Sequence, residues 1–533
     1  MKRLSYYLLS LCMLCSCNDF LDQNPDDRAT LDSESKIASL LVSAYPEKGY
    51  QLLAELSSDN VADFGVTKNY DIFAEDVYTW SEDIASHNES PKSLWDACYG
   101  AIAAANQALD AIEDMGGPTT KQLKASRGEA LLCRAYAHFV LANMFCLPYD
   151  PNAADRLGVP YMDHPETDLN PKYDRGSLLT DYEKMKEDIE EGIPLIDDTS
   201  YSVPKYHFNY KAACCFASRF FLFTQDWDNV IKYSTLALGE NPQNIMKDND
   251  ELASLPRNPI GTVSLAFCNV VSKANFLIQT GYSQMGKWFG GYTTSARFTH
   301  GVLQATYQTL KVRTPYGNSA VYKMTPWEYA SGKSLLPRIP FIFEYTNPVS
   351  GSGYSRALFP CFTAEEAILN RAEAYVMKMK SDATALDKAL NDMNIFGKNQ
   401  ISSGYNTLTE ETVNNWANSF EYSVPTIGKI TGTNTLTPKN ELHPYYTIEK
   451  GTQENMIHCL LYMRRREFIH LGMRWFDTRR FGITIYRQTV DEDGITITAL
   501  PDKISDEDGS VDKRRALQLP ADVIAAGLES NPR

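Results

Sequence analysis

From Leu94 onward, apolar residues return at Cys98, Ile102, Ala105, Leu109 and Ile112. Steps of three and four place them on one face of a helix, and that face has to be buried. Gly116-Gly117-Pro118 stops the helix. A second run, Lys121 to Met144, is apolar on nearly every side around Leu131, Ala135, Tyr136 and Phe139, as suits a helix enclosed by others. Leu178, Tyr182, Met185 and Ile189 share a face of a third helix over 178–191. Tyr210 to Phe223 reads as a buried helix, Thr224 to Asp228 as a turn, and Asn229 to Leu238 as the antiparallel partner. Trp95 with Tyr99, and Trp227 just before a helix, match the aromatic-plus-small-residue packing of tetratricopeptide pairs. A chain opening on such a succession of paired helices folds as a mainly α helical-repeat scaffold.

After about Leu255 the texture changes. Short β-like runs appear at Thr262 to Phe267 and Arg338 to Tyr345, and a hairpin is expected around Asp491 to Thr498. Helices return at Glu365 to Met379, Ala383 to Met393 and Met456 to Leu471. Residues 397–450 are rich in Asn, Thr, Ser and Gly and read as a long irregular excursion. Loop-rich insertions of this kind are where binding usually sits.

The N-terminus suggests a location. Lys2 and Arg3 precede an apolar run from Leu4 to Leu14, too short to span a bilayer but right for an export signal. It ends in Leu14-Cys15-Ser16-Cys17, which resembles a bacterial lipobox with Cys17 as the lipidated residue. The expected division is a signal peptide over 1–16, an N-terminal helical region over 17–250 and a C-terminal region with the insertions over 251–533, packed as one body. Eight further cysteines follow, several of them inside apolar helical runs, and no CxxC pair remains among them to suggest zinc or redox chemistry.

Charge narrows the function. The 533 residues carry 51 Lys and Arg against 67 Asp and Glu, a net −16, which is the wrong balance for a general nucleic-acid binder. Apolar residues are 43% of the chain, so a large core is available and disorder is excluded.

Catalytic motifs are missing. There is no GxSxG elbow, phosphate loop, GxGxxG fingerprint or HExxH pair. Glu467 and His470 share a helix face without a second such pair, and they read as a polar contact, not a metal site. Asp491-Glu492-Asp493-Gly494 and Asp506-Glu507-Asp508-Gly509 lack the closing ligands of a calcium loop and read as acidic turns. Arg464, Arg465, Arg466, Arg474, Arg479 and Arg480 alternate with Phe468, Trp475, Phe476 and Phe481. This cluster reads as packed arginines paired with carboxylates such as Glu467 and Asp477; an anion or nucleic-acid site is the alternative. No catalytic residue, metal or cofactor is expected.

The stretch ending at Gly482, RRREFIHLGMRWFDTRRFG, resembles the C-terminal signature of the SusD/RagB family of Bacteroidetes outer-membrane lipoproteins. Four other segments agree in order: the start at Cys17-Asn-Asp-Phe-Leu-Asp-Gln-Asn-Pro25, the Trp95, Tyr99, Ile102 and Asn106 helix, the Glu366 to Tyr375 helix, and the closing Leu519-Pro520 to Asn531-Pro532. The resemblance implies about four tetratricopeptide-like helix pairs under a loop-rich region. It also implies a non-enzymatic surface lipoprotein that captures oligosaccharides for a SusC-like TonB-dependent transporter. Relatives of the RagB type take peptides. Binding aromatics vary within the family, so no site residue is carried over.

Ligand-binding candidates therefore come from aromatics on loop-like segments, because a sugar ring stacks on a flat aromatic while polar neighbours bond its hydroxyls. They are Trp80 with Tyr70, the Gly-flanked group Trp288, Phe289 and Tyr292, and Trp327 after Pro326. Trp95, Trp227 and Trp475 fall on helical packing positions. The reading is an outer-membrane, surface-facing glycan-binding lipoprotein. A peptide-binding lid, a general helical-repeat scaffold and an enzyme with an unrecognised site are the alternatives.

Overall fold

The structure is a computed structural model, and it describes residues 30–65, 68, 71–167, 171–293, 296–329, 332–431 and 436–533. The signal segment, Cys17 and Tyr70 lie outside the described residues.

The helical half follows the periodicity of the sequence. Helix α1 (Pro91–Asp114) starts with proline in its first turn, and the Ser90 hydroxyl accepts the Ser93 amide. It ends before Gly116 and Gly117, both at positive φ, a backbone region that costs glycine little. Its buried face carries the expected stripe from Leu94 to Ile112. Helix α2 (Lys121–Phe145) is buried almost all round because α1 packs on one side and α3 (Leu178–Gly192) on the other. Gly128 and Gly192 set that second crossing. A Cβ on Gly128 would lie 2.8 Å from the Gly192 carbonyl oxygen, and one on Gly192 would lie 3.0 Å from the Gly128 oxygen. Helices α4 (Tyr210–Phe223) and α5 (Trp227–Leu238) double back through a three-residue turn, in which Asp226 caps the Asn229 amide.

The C-terminal helices extend the stack. Helix α6 (Ala364–Lys378) packs on α4 and α5, α7 (Ala385–Gln400) on α6, and α9 (Thr452–Glu467) on α6 and on α8 (Glu410–Asn418). One buried cluster runs from Ile37 to Leu528 through all of these helices. The fold is mainly α and tetratricopeptide-like, with small scattered sheets.

The arginine cluster belongs to this core. Arg464 on α9 pairs with Asp477 on α10 (Met473–Arg480) at 3.0 Å, and Arg480 pairs with Glu373 at 2.7 Å and with Asp477 at 3.0 Å. Arg474 grips Asp59, while Arg465 donates to the Asn60 side chain and to the Asp59 carbonyl. Arg466 donates to the Leu310 and Met324 carbonyls with its guanidinium 3.4 Å from the Tyr322 ring centroid. Packing, not a nucleic-acid surface, accounts for the alternation of Arg and aromatics.

Four expectations need correction. Thr262–Phe267 is a short helix, not a strand: Val263, Ser264 and Phe267 are buried at steps of one and three against a satellite cluster with Leu252 and Trp327. The 397–450 stretch is less irregular than its composition suggests, since α7 runs to Gln400, Ile401–Ser403 is a strand and Thr409 caps α8. Helix α9 ends at Glu467, and the chain breaks at His470 (φ 66) before α10 begins. The Arg338 to Tyr345 strand starts later than expected, as β2 (Ile342–Asn347), which edges an antiparallel sheet of order β1 (Asn275–Tyr282), β3 (Ser352–Thr363), β2. The hairpin at Asp491 is present between Thr489–Val490 and Thr496–Ala499, and Asp493 accepts the Ile495 and Thr496 amides in its turn.

Candidate functional site

The aromatic candidates divide by burial. Trp80 is 4% exposed, and its indole N–H donates to the Ser57 carbonyl at 3.1 Å. The Arg487 guanidinium lies 3.7 Å from its ring centroid, so its face is already covered. Phe289 is fully buried and stacks on His470 at 5.0 Å. Trp327 sits in the satellite cluster with Phe267 and Leu335. Trp288 belongs to the main cluster. The expectation of exposed rings on loops is corrected for these four, because long-range packing covers them. Tyr292 alone of the described candidates stays half-exposed, with its hydroxyl donating to the Ile260 carbonyl at 2.9 Å and its ring 5.2 Å from Phe341. Trp288, Phe289 and Tyr292 do share one segment, whereas Trp80 and Trp327 lie in separate parts of the core.

A different place offers concavity. A cleft of about 970 Å³ opens between α1, loop residues 160–166 and 171–173, and the C-terminal turn around Val523 to Leu528. Its floor is Trp95, Tyr99, Ile102, Ala103 and Asn106, one stripe of α1. Trp95 is held edge-on by Phe145 at 5.2 Å and lies 5.0 Å from Tyr99. His164, Glu166, Lys172 and Tyr173 stand on the loop side.

The loop is fixed by buried polar groups. Tyr99 Oη donates to the Pro160 carbonyl at 2.8 Å, and Asn106 Nδ2 donates to the carbonyls of Met162 at 3.0 Å and His164 at 3.2 Å. Arg134 bridges Asn106 Oδ1, the Asp163 carbonyl and Asp188, to which it is bidentate at 2.6 and 2.8 Å. Burial pushes the His138 imidazole down to about 3, so it is neutral. Its Nδ1 then donates to the Arg134 carbonyl, and Nε2 accepts the Met162 amide at 3.1 Å. His138 also stacks on Tyr161 at 3.8 Å. A rigid floor and a pinned loop make a preformed cleft. Tyr173 is 41% exposed, and its hydroxyl donates to Glu166.

The cleft suits stacking and hydrogen bonding more than bond cleavage. Glycoside hydrolysis needs two carboxylates across the scissile bond; among the described lining residues Glu166 supplies the carboxylate. No group of three His, Cys, Asp or Glu side chains that could hold a metal ion occurs among the described residues. Glu467 accepts Gln400 Nε2 at 3.0 Å and faces Arg338 at 3.4 Å, while His470 stands 3.3 Å from Glu55. Sequence reasoning set Trp95 aside as packing. The signal available was the polar continuation of its stripe through Tyr99 to Asn106.

Residues 19–222 match the model of the SusD-like family, described as starch-binding and associating with the outer membrane. Over those residues the chain is similar to the SusD-like family. Its fold matches a SusD superfamily protein from Bacteroides thetaiotaomicron with a TM-score of 0.63 at 17% identity, over 94% of this chain and 100% of that one. A SusD-like carbohydrate binding protein from Bacteroides vulgatus matches with 0.60 at 15% identity, over 93% and 97%. A SusD superfamily protein from Bacteroides fragilis matches with 0.59 at 16% identity, over 93% and 98%. No curated protein matches the chain. The cleft floor and the loop-side residues fall within the matched residues. No helix among the described residues is long and apolar enough to cross a membrane.

Proposed function

We propose that this SusD-like protein binds an oligosaccharide in the α1 cleft and hands it to a SusC-like TonB-dependent transporter, acting without catalysis. The carrying observation is the cleft itself, where the Trp95 and Tyr99 floor faces a polar wall of His164, Glu166, Lys172 and Tyr173 in about 970 Å³. That volume takes a few sugar units, and aromatic floors with convergent polar groups are the usual means of holding them. The family description, starch-binding at the outer membrane, supports the same ligand class. Cys17 is the proposed lipid anchor, on the lipobox at Leu14 to Cys17.

Calorimetry of the purified protein against neutral glycans, acidic glycans and mixed peptides tests the ligand class. Binding to neutral or acidic glycans supports the proposal, and binding to peptides alone would replace it with a peptide-capturing lid. Turnover of a bound glycan would overturn the non-catalytic part. Cys17→Ala is expected to abolish lipid labelling and release the protein from the outer membrane; unchanged fractionation would remove the anchor.

A further inference from the structure

Arg479, near the end of α10, is 4% exposed, and only its Nη2 finds a partner, the Cys146 carbonyl. Its Nε and Nη1 have none among the described residues. Arg464, Arg474, Arg480 and Arg515 all hold carboxylates. Arg466 and Arg487 do not, but each lies on an aromatic ring and donates to two or three carbonyls. Arg479 differs from both in that it borders a cavity, of about 40 Å³.

The cavity collects other groups able to donate. Tyr445 Oη borders it, buried and without a partner among the described residues, and His443 Nε2 borders it without a hydrogen bond, 3.8 Å from Glu441 Oε2. Arg156 lines it too, donating to the Pro148 carbonyl and standing 3.4 Å from Asp150. Asp506 is on the wall, but its two oxygens are taken by Arg515 Nε at 2.9 and 2.7 Å. Burial and the nearby positive charge of Arg515 and Arg156 push the Arg479 guanidinium down to about 10, so it remains charged at neutral pH. A buried charge with unmet donors is costly unless something negative answers it.

We propose that this cavity is a binding site for one compact inorganic anion of the chloride class, held by Arg479 with Arg156, His443 and Tyr445. A water needs about 10–15 Å³ of such volume, so about 40 Å³ admits one small anion or about three waters. The site joins the end of α2, the 148–156 loop, the turn after α4, the 443–445 segment and α10. An anion there ties the two halves of the chain together and acts on stability, independently of what the α1 cleft binds.

Melting in sodium chloride is compared with melting in sodium gluconate at equal ionic strength, and crystals grown in sodium bromide are examined for anomalous signal. The expected results are a melting temperature that rises with the logarithm of chloride concentration, and a bromide peak beside Arg479. Arg479→Gln should abolish the chloride dependence. Tyr445→Phe, which removes one donor and little volume, should reduce it and keeps the test decisive if the arginine variant does not fold. Identical melting in the two salts together with a cavity holding only water would overturn the proposal. So would a chloride dependence untouched by both variants.

Discussion

Arg474 donates Nε and Nη2 to the two oxygens of Asp59 at 2.7 and 2.8 Å, across 415 residues of chain. Arg465 Nη1 stands 3.3 Å from the same carboxylate, and all three residues are buried. Burial alone would raise the Asp59 carboxyl, but the two guanidiniums outweigh it and hold it well below the usual range. Asp59→Ala would leave two buried guanidiniums without that carboxylate. The expected loss is about 3–5 kcal/mol in urea unfolding. Adding Arg474→Met should recover part of that loss, and purely additive effects would show that the pair does not couple.

Trp80→Ala is expected to behave as a core mutation. The ring lies under the Arg487 guanidinium, with Arg514 at 5.5 Å, and donates to Ser57. Its removal should cost about 3–5 kcal/mol in denaturant unfolding and leave glycan affinity of the folded protein unchanged. Trp475→Ala, also in the core, should match it in stability.

The difference between Trp80 and Trp95 shows what a sequence can carry. Helix faces repeat every three or four residues, so α1 to α5 could be read from local spacing. Trp80 follows a polar stretch and reads as exposed, yet the groups that cover it, Ser57 and Arg487, lie 23 and some 400 residues away. The cleft is hidden for the same reason. Its floor is a helix stripe, but its walls come from a loop some 60 residues on and from the C-terminal turn. The Thr262 run misled differently, since six residues with Thr and Val fit a strand until packing against Leu252 selects the helix.

Glu89 gives a pH test. It is 2% exposed and accepts from the Ser283 hydroxyl and from the Gln284 amide at 2.8 Å. Burial pushes its carboxyl up to about 7 despite those bonds. The folded state therefore keeps a proton that the unfolded chain releases near pH 4.3. This contribution is fully present at low pH and is lost as pH rises from about 4.5 through about 7. Glu89→Gln should flatten the fall in stability over that window, measured by urea midpoints at fixed salt. The flattening should be partial, because Glu55 and Asp181 are also raised to about 7 by burial.

Tyr173 separates binding from folding at the cleft. It is 41% exposed at the rim, opposite the Trp95 and Tyr99 floor, so Tyr173→Ala should barely move the melting temperature. If a sugar is held between floor and rim, losing the ring should weaken binding by about 1 kcal/mol, roughly fivefold in Kd. Tyr173→Phe keeps the ring and removes the hydroxyl that donates to Glu166, so it should retain most of the affinity. Asn106→Ala should act through the loop, since it releases the Met162 and His164 carbonyls and the Arg134 contact together. That variant should lose both affinity and stability. Oligosaccharide affinity unchanged in Tyr173→Ala and in Asn106→Ala would place the binding surface elsewhere on the molecule, with the half-exposed Tyr292 and its Phe341 neighbour as the next position to probe.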